Sequence, residues 1–279
     1  MIRSLIARTS VLAVVAIAPS NAAAAVDDRD CAVTPMAQGE NEPRTGDAVE
    51  WIDFPAQKEL NDPAWGPFLT DVENHLPIGY GSTYRDSDYV TWCHETTHGI
   101  NSHIRNRFGG AGRNGFYVGS DRAAVVDEPR LTIGQVAEAI PLSLRGNRFE
   151  SYLVSQRSSW DLQPLYLWDE WVAYTNGAQT AVDQAPSRRN ERRDWLMGML
   201  EFNVYSLYVA KLAQENGSDS KQLIEFFAWN WRRSMKLWES GMRHETLNWD
   251  NGAYLRRMLG HPEIREFLQK NRIPAPEVD

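Results

Sequence analysis

His94-Glu95-Thr96-Thr97-His98 can do chemistry if the segment is helical. Residues four apart on an α-helix share one face about a turn apart, so both imidazoles can reach a single zinc ion. Glu95, between them, then addresses the metal-bound water. In that reading Glu95 is the general base, taking the water proton and delivering it to the leaving amine. A catalytic zinc usually has three protein ligands and one open position, so another donor is needed. A histidine six residues after His98 would fall at Ile104 and is missing. His103 follows His94 by nine positions, which puts it on the opposite helix face, where it reads as exposed or structural.

The third ligand must come from elsewhere in the chain. Candidates are Glu170, Asp169, His75, His244 and His261. Glu170 is favoured because Ala173 and Gly177 are small and lie on its face, so its helix can approach the histidine helix closely. Asp169 then becomes the group that orients a histidine N–H. With two helical histidines joined by a downstream glutamate, and with the run Glu170-Trp171-Val172-Ala173, the chain resembles the gluzincin group of zinc metallopeptidases. Its Glu-x-x-Ala arrangement looks most like that of lethal-factor-type and related secreted bacterial endopeptidases.

The resemblance covers two short segments. It implies a zincin-like domain, bound Zn2+, the ligand set His94, His98 and Glu170, and hydrolysis of peptide bonds. It also implies a tyrosine or histidine that steadies the tetrahedral intermediate. Tyr166, one turn before Glu170, is the first candidate, with Tyr174 and His244 as alternatives. Lethal-factor-type enzymes place their tyrosine about two turns before the glutamate, where this chain has Gln163.

The elements that must position these residues can be read from pattern. Asp86-Ser87 offers a cap for a helix running through the histidines to about Phe108, where Gly109-Gly110 stops it. Val49 to Phe54 suits a short strand, and Pro- and Gly-rich loops are expected from Pro55 to Tyr84. Gly115 to Val118 and Ala123 to Val126, around Gly119-Ser120-Asp121, predict a β-hairpin that could offer an edge strand to an extended substrate. Thr132 caps a short helix ending before Pro141. A second key helix is expected within Asp161 to Val182, beginning near Pro164. Trp195 to Gln214, Ser220 to Trp238 and Asn251 to Lys270 carry apolar residues at helical spacing. Trp229, Trp231 and Trp238 read as a core stripe. The fold class expected is α+β, predominantly helical, with a small sheet or hairpin and a helical C-terminal half.

Residues 1–25 read as a secretory leader: Arg3 and Arg8 flank a short start, an apolar run covers Val11 to Ala18, and Ala23-Ala24-Ala25 offers a cleavage site. Residues 26–44 read as an extended arm and 45–279 as one catalytic domain. The chain is expected to be secreted or periplasmic. No segment approaches the roughly 18 apolar residues of a membrane span. An oxidising compartment would let the two cysteines, Cys31 and Cys93, pair; Cys31 could instead give a latency thiolate to the metal. The formal charge is −8, and losing a leader with two arginines and no acid makes it −10. Such a balance argues against nucleic acid as a partner, and the cluster Arg188 to Arg193 reads as a solvated loop and helix start. A peptide or protein substrate is expected. A zinc amide hydrolase of cell-wall peptides, or a non-catalytic secreted binding protein on the same framework, would use the same residues.

Overall fold

The computed structural model describes residues 48–81, 87–109, 112–187, 195–217, 221–247 and 251–276. The expected leader and arm, Cys31, Asp86, Gly110 and the Arg188 to Arg193 cluster lie outside them. The protein is mostly helical with one three-stranded antiparallel sheet in the order β1-β3-β2, formed by β1 (Glu50–Asp53), β2 (Arg113–Gly119) and β3 (Arg122–Asp127). The hairpin closes where Ser120 and Asp121 both take left-handed φ, 54° and 59°. Two consecutive positive φ values make the primed turn whose twist matches the flanking strands.

The sheet separates two apolar cores. Phe116, Val118, Ala124 and Val126 face a large core built with the C-terminal helices, whereas Tyr117, Ala123 and Val125 face a smaller one. Alternate residues of a strand point to opposite faces. The unbroken apolar run from Ala123 to Val126 follows, because both faces of β3 are covered.

The histidine helix, α2 (Tyr89–Ile104), is capped by Asp88, whose carboxylate accepts from Thr91 N (3.3 Å) and Thr91 Oγ1 (2.8 Å). The cap therefore lies one residue past Ser87, and a π-helical turn, Arg105–Gly109, carries the chain on to Gly109. Cys93, Ile100 and Ile104 anchor α2 in the smaller core. That burial fixes the helix rotation and so turns His94 and His98 to a neighbouring face.

A helix stands where loops are expected. α1 (Gly66–His75) begins with proline in its first turn, a place where the missing N–H costs nothing. Leu69 and Val72 are buried at helical spacing. Buried Glu73 accepts from Trp92 Nε1 (2.7 Å) and Thr96 Oγ1 (3.0 Å), which braces α1 against α2. Gly99, next to the second histidine, allows the loop after α1 to lie against α2. A Cβ there would sit 2.1 Å from the Tyr80 carbonyl oxygen. Gly99→Ala is expected to destabilise the protein by about 1–3 kcal/mol through overpacking, read as a lower denaturant midpoint.

After β3 come α3 (Ile133–Ala139), with a capping box between Thr132 and Gln135, and α4 (Arg157–Trp160). Between them lies a second π-helical segment, Glu150–Ser155. α5 (Tyr166–Gln184), α6 (Trp195–Glu215) and α7 (Lys221–Gly241) pack in sequence, with α5 also against α1 and α2. At Gly177 a Cβ would lie 3.3 Å from Val90 Cγ1 and 3.8 Å from His94 Cβ, so the missing side chain lets α5 lie close to α2. Trp231 and Trp238 are core residues, and half-buried Trp229 packs on Trp51 and Phe226. The single helix expected from Asn251 to Lys270 is in fact two, α8 (Asn251–Gly260) and α9 (Pro262–Lys270). Pro262 has no N–H and its ring clashes with the preceding turn, so the helix must restart. Among the described residues no helix is long and apolar enough to cross a membrane.

Candidate metal centre

α2 and α5 bring three donor atoms together. His94 Nε2 and His98 Nε2 lie 3.0 Å apart, and Glu170 Oε2 lies 3.4 Å from the first and 3.5 Å from the second. For four donors at about 2.0–2.1 Å around one ion, neighbouring donors sit about 3.3–3.4 Å apart. The triangle thus has the size of one face of a tetrahedral site. The group could hold a metal ion. Glu170 Oε2 is enclosed and, among the described residues, accepts no hydrogen bond of ordinary geometry. A buried carboxylate oxygen without a donor is costly unless a cation answers it.

Electrostatics agree with the geometry. Burial disfavours charge on His98, but Asp169 and Glu170 more than offset it and hold its pKa well above the usual imidazole value. Burial would likewise raise Glu170, yet His98 and His94 keep its carboxyl below the usual carboxylate range. The two acids favour a positive charge at the Nε2 pair, which a proton or a metal ion can provide.

Each of the three donors is held by a second residue or by packing. Asp169 Oδ2 meets His98 Nδ1 at 2.9 Å, and its Oδ1 accepts from Asn101 Nδ2 at 2.6 Å. A proton shared on Nδ1 leaves the Nε2 lone pair aimed at the cluster. Tyr174 packs edge-on against the His94 ring with centroids 4.4 Å apart. Tyr166 Oη lies 2.9 Å from Glu170 Oε1 and 2.5 Å from Gln156 Oε1. Its hydroxyl is therefore occupied beside the third donor. Asp169→Asn is expected to weaken metal binding about 10–100-fold, the range typical of partners behind metal ligands, measured by competition with a chromophoric chelator.

Residues that local sequence does not mark complete the surroundings. Asn101 Oδ1 accepts from Tyr117 N (2.7 Å), and Asn176 Nδ2 donates to Tyr117 O (3.1 Å) and Thr97 Oγ1 (3.1 Å). These two amides tie β2 to α2 and α5. They also take up the outer edge of β2 at Tyr117, so the hairpin does not offer that point to a passing peptide strand. On the other side, Arg148 Nε donates to Tyr174 Oη (3.2 Å), Tyr152 Oη lies 3.1 Å from Tyr174 Oη, and Arg148 also meets buried Glu201. None of these pairs has a helical spacing that could have revealed it.

The other expected residues fall elsewhere. His75 is buried in the smaller core region, with Nδ1 2.6 Å from Asp71 O and Nε2 2.8 Å from Asp121 Oδ1. His103 is half-buried, edge-on to Tyr80 with centroids 4.8 Å apart. His244 follows α7 in a turn, and His261 stands at the residue before α9 without a side-chain bond to that helix. Gln163 lies in the turn before α5, where its N–H donates to Trp160 O. Glu95 is half-buried on α2, between the two histidines in sequence. Cys93 is a buried free thiol whose pKa burial pushes up to about 12, and no disulfide to it exists among the described residues. The expected partner Cys31 lies outside them.

No family model matches the chain, and comparison with curated proteins and with solved structures likewise gives no match.

Proposed function

We propose that the protein is an exported zinc-dependent endopeptidase. The observation that carries this reading is the triangle of His94 Nε2, His98 Nε2 and Glu170 Oε2, with sides of 3.0, 3.4 and 3.5 Å and Glu95 on the same helix as both imidazoles. Two nitrogens and one carboxylate oxygen at this spacing suit zinc, which accepts histidine and carboxylate donors in a tetrahedral arrangement. Zinc bound there would supply a Lewis acid that acidifies water and polarises a carbonyl.

The chain's own residues do the rest. Glu95 accepts a proton from water and passes it to the departing amine nitrogen. Asp169 fixes the tautomer and orientation of His98, and Tyr166 holds Glu170 through Oε1. Tyr166 is thereby a positioning residue; Tyr174, whose ring packs on His94, is the second phenol beside the site, its oxygen held by Arg148 and Tyr152.

The reading is tested by hydrolysis of an unfolded protein substrate. A strong chelator is expected to abolish it, and one equivalent of zinc to restore it. Hydrolysis that persists in metal-free protein would overturn the proposal.

A further inference from the structure

Away from the metal triangle, a cleft of about 470 Å3 opens between the segment around Gly146, α6 and α8, lined by Arg145, Met197, Glu201, Tyr254 and Arg257 among others. Its charge runs against that of the chain, which is −8 overall. Glu201, 1% exposed, already accepts from Asn147 N (3.1 Å), Arg148 N (2.9 Å) and Arg148 Nη1 (3.4 Å), so its negative charge is answered from within. A Cβ at Gly146 would fall 2.2 Å from the Glu201 carboxyl carbon, so glycine is needed for the backbone to cover that carboxylate.

Two guanidiniums remain on the cleft wall. Arg145 is held by Nε and Nη2 donating to Ile140 O and Ala137 O, both at 3.1 Å, and by the Phe149 ring 4.3 Å below it. Those bonds leave N–H groups on both of its terminal nitrogens. Arg257 lies over the Tyr254 ring at 5.1 Å. Among the described residues neither has an ion-pair partner. Two guanidiniums, each steadied on an aromatic ring, lose little freedom when they bind an anion. Met197 and the Tyr254 ring give the same cleft an apolar wall.

We propose that this cleft is a carboxylate-binding site that recognises an acidic group of a peptide, either a chain terminus or an acidic side chain. The ligand class rests on the peptidase reading, whereas the site does not. It is joined to the metal centre by a chain of contacts, from Glu201 to Arg148, from Arg148 to Tyr174, and from the Tyr174 ring to His94.

The test uses zinc-loaded full chain carrying Glu95→Gln, so that peptides survive, and reads binding by fluorescence anisotropy. Three labelled alanine-rich peptides are compared: one with a free C-terminal carboxylate, its neutral amide, and the amide with an internal glutamate. Tighter binding of the free acid identifies a terminus as the ligand, and tighter binding of the glutamate peptide identifies a side chain. Arg257→Gln is expected to weaken the favoured peptide about 10–100-fold, the range for losing a hydrogen bond to a charged group, and Arg257→Lys to weaken it less. Among the described residues the Arg257 side chain makes no hydrogen bond to the main chain, so this variant keeps the fold even if Arg145→Gln does not. Equal binding of all three peptides, or unchanged binding in Arg257→Gln, overturns the proposal. Because binding is read without turnover, a lack of hydrolysis in the unsubstituted protein counts against the peptidase reading alone.

Discussion

Glu95→Gln is expected to lower peptide hydrolysis by about 10^2–10^4-fold while zinc affinity stays within a few-fold of the original. The two readouts separate because Glu95 belongs to the helix of the ligands but not to the donor triangle, which His94, His98 and Glu170 complete. An amide of the same shape can still lie beside the site and order water. It has no basic oxygen to take up a proton at neutral pH, so both the attack and the protonation of the leaving amine lose their shuttle. The loss should appear in kcat, with KM little changed, since the group acts in the transition state rather than in ground-state binding. Metal content by elemental analysis and steady-state kinetics on the same preparation check it. Activity within a few-fold of the original would assign the proton transfer to another group, and parallel loss of zinc would make Glu95 a ligand.

How much of this site the sequence reveals depends on how local each cause is. His94 and His98 are four residues apart on one helix, and the spacing alone predicts that they converge. Glu170 is legible for a subtler reason: Ala173 and Gly177 leave room on its face, and at Gly177 α5 does lie against Val90 and His94. The hairpin is legible too, since Ser120-Asp121 accepts the primed turn and Ala123 to Val126 is apolar on both faces. What fails is read from composition alone. Pro67 and Gly66 look like a loop but form the first turn of α1, because proline is disfavoured inside a helix and tolerated at its start. Pro262 shows the converse, splitting one periodic segment into α8 and α9. The residues behind the donors were beyond reach for a different reason. Asn101, Asn176, Arg148, Tyr152, Gln156 and Glu201 meet partners that lie on other elements or across irregular turns, so only packing brings them together. For Tyr166 the helical spacing to Glu170 is legible, but the spacing does not tell that the phenol is turned to Glu170 Oε1 itself.

Glu170→Gln is expected to weaken zinc binding by about 10^2-fold or more while leaving the protein folded. Zinc sites with four protein donors bind with about 10–16 kcal/mol near neutral pH, so one ligand accounts for roughly a quarter of that, or about 3 kcal/mol. The substitution exchanges a charged donor for a neutral one of the same shape. The amide oxygen can still accept from Tyr166, and the amide nitrogen then stands where Oε2 faced the two imidazoles, able to donate to either. The helix pair therefore keeps its contacts and loses its charge. Thermal unfolding reads the difference directly. Zinc at a hundred times the dissociation constant stabilises a protein by about 2.7 kcal/mol; if the constant rises a hundredfold at the same zinc concentration, the stabilisation falls to about 0.4 kcal/mol. The metal-free variant should melt below the metal-free original, because His98 loses one of the two carboxylates that favour its charge. Asp169→Asn serves as the internal comparison. If Glu170→Gln retained full zinc stabilisation and Asp169→Asn lost it, Asp169 would be the third ligand and the triangle would need redrawing around His98 Nδ1.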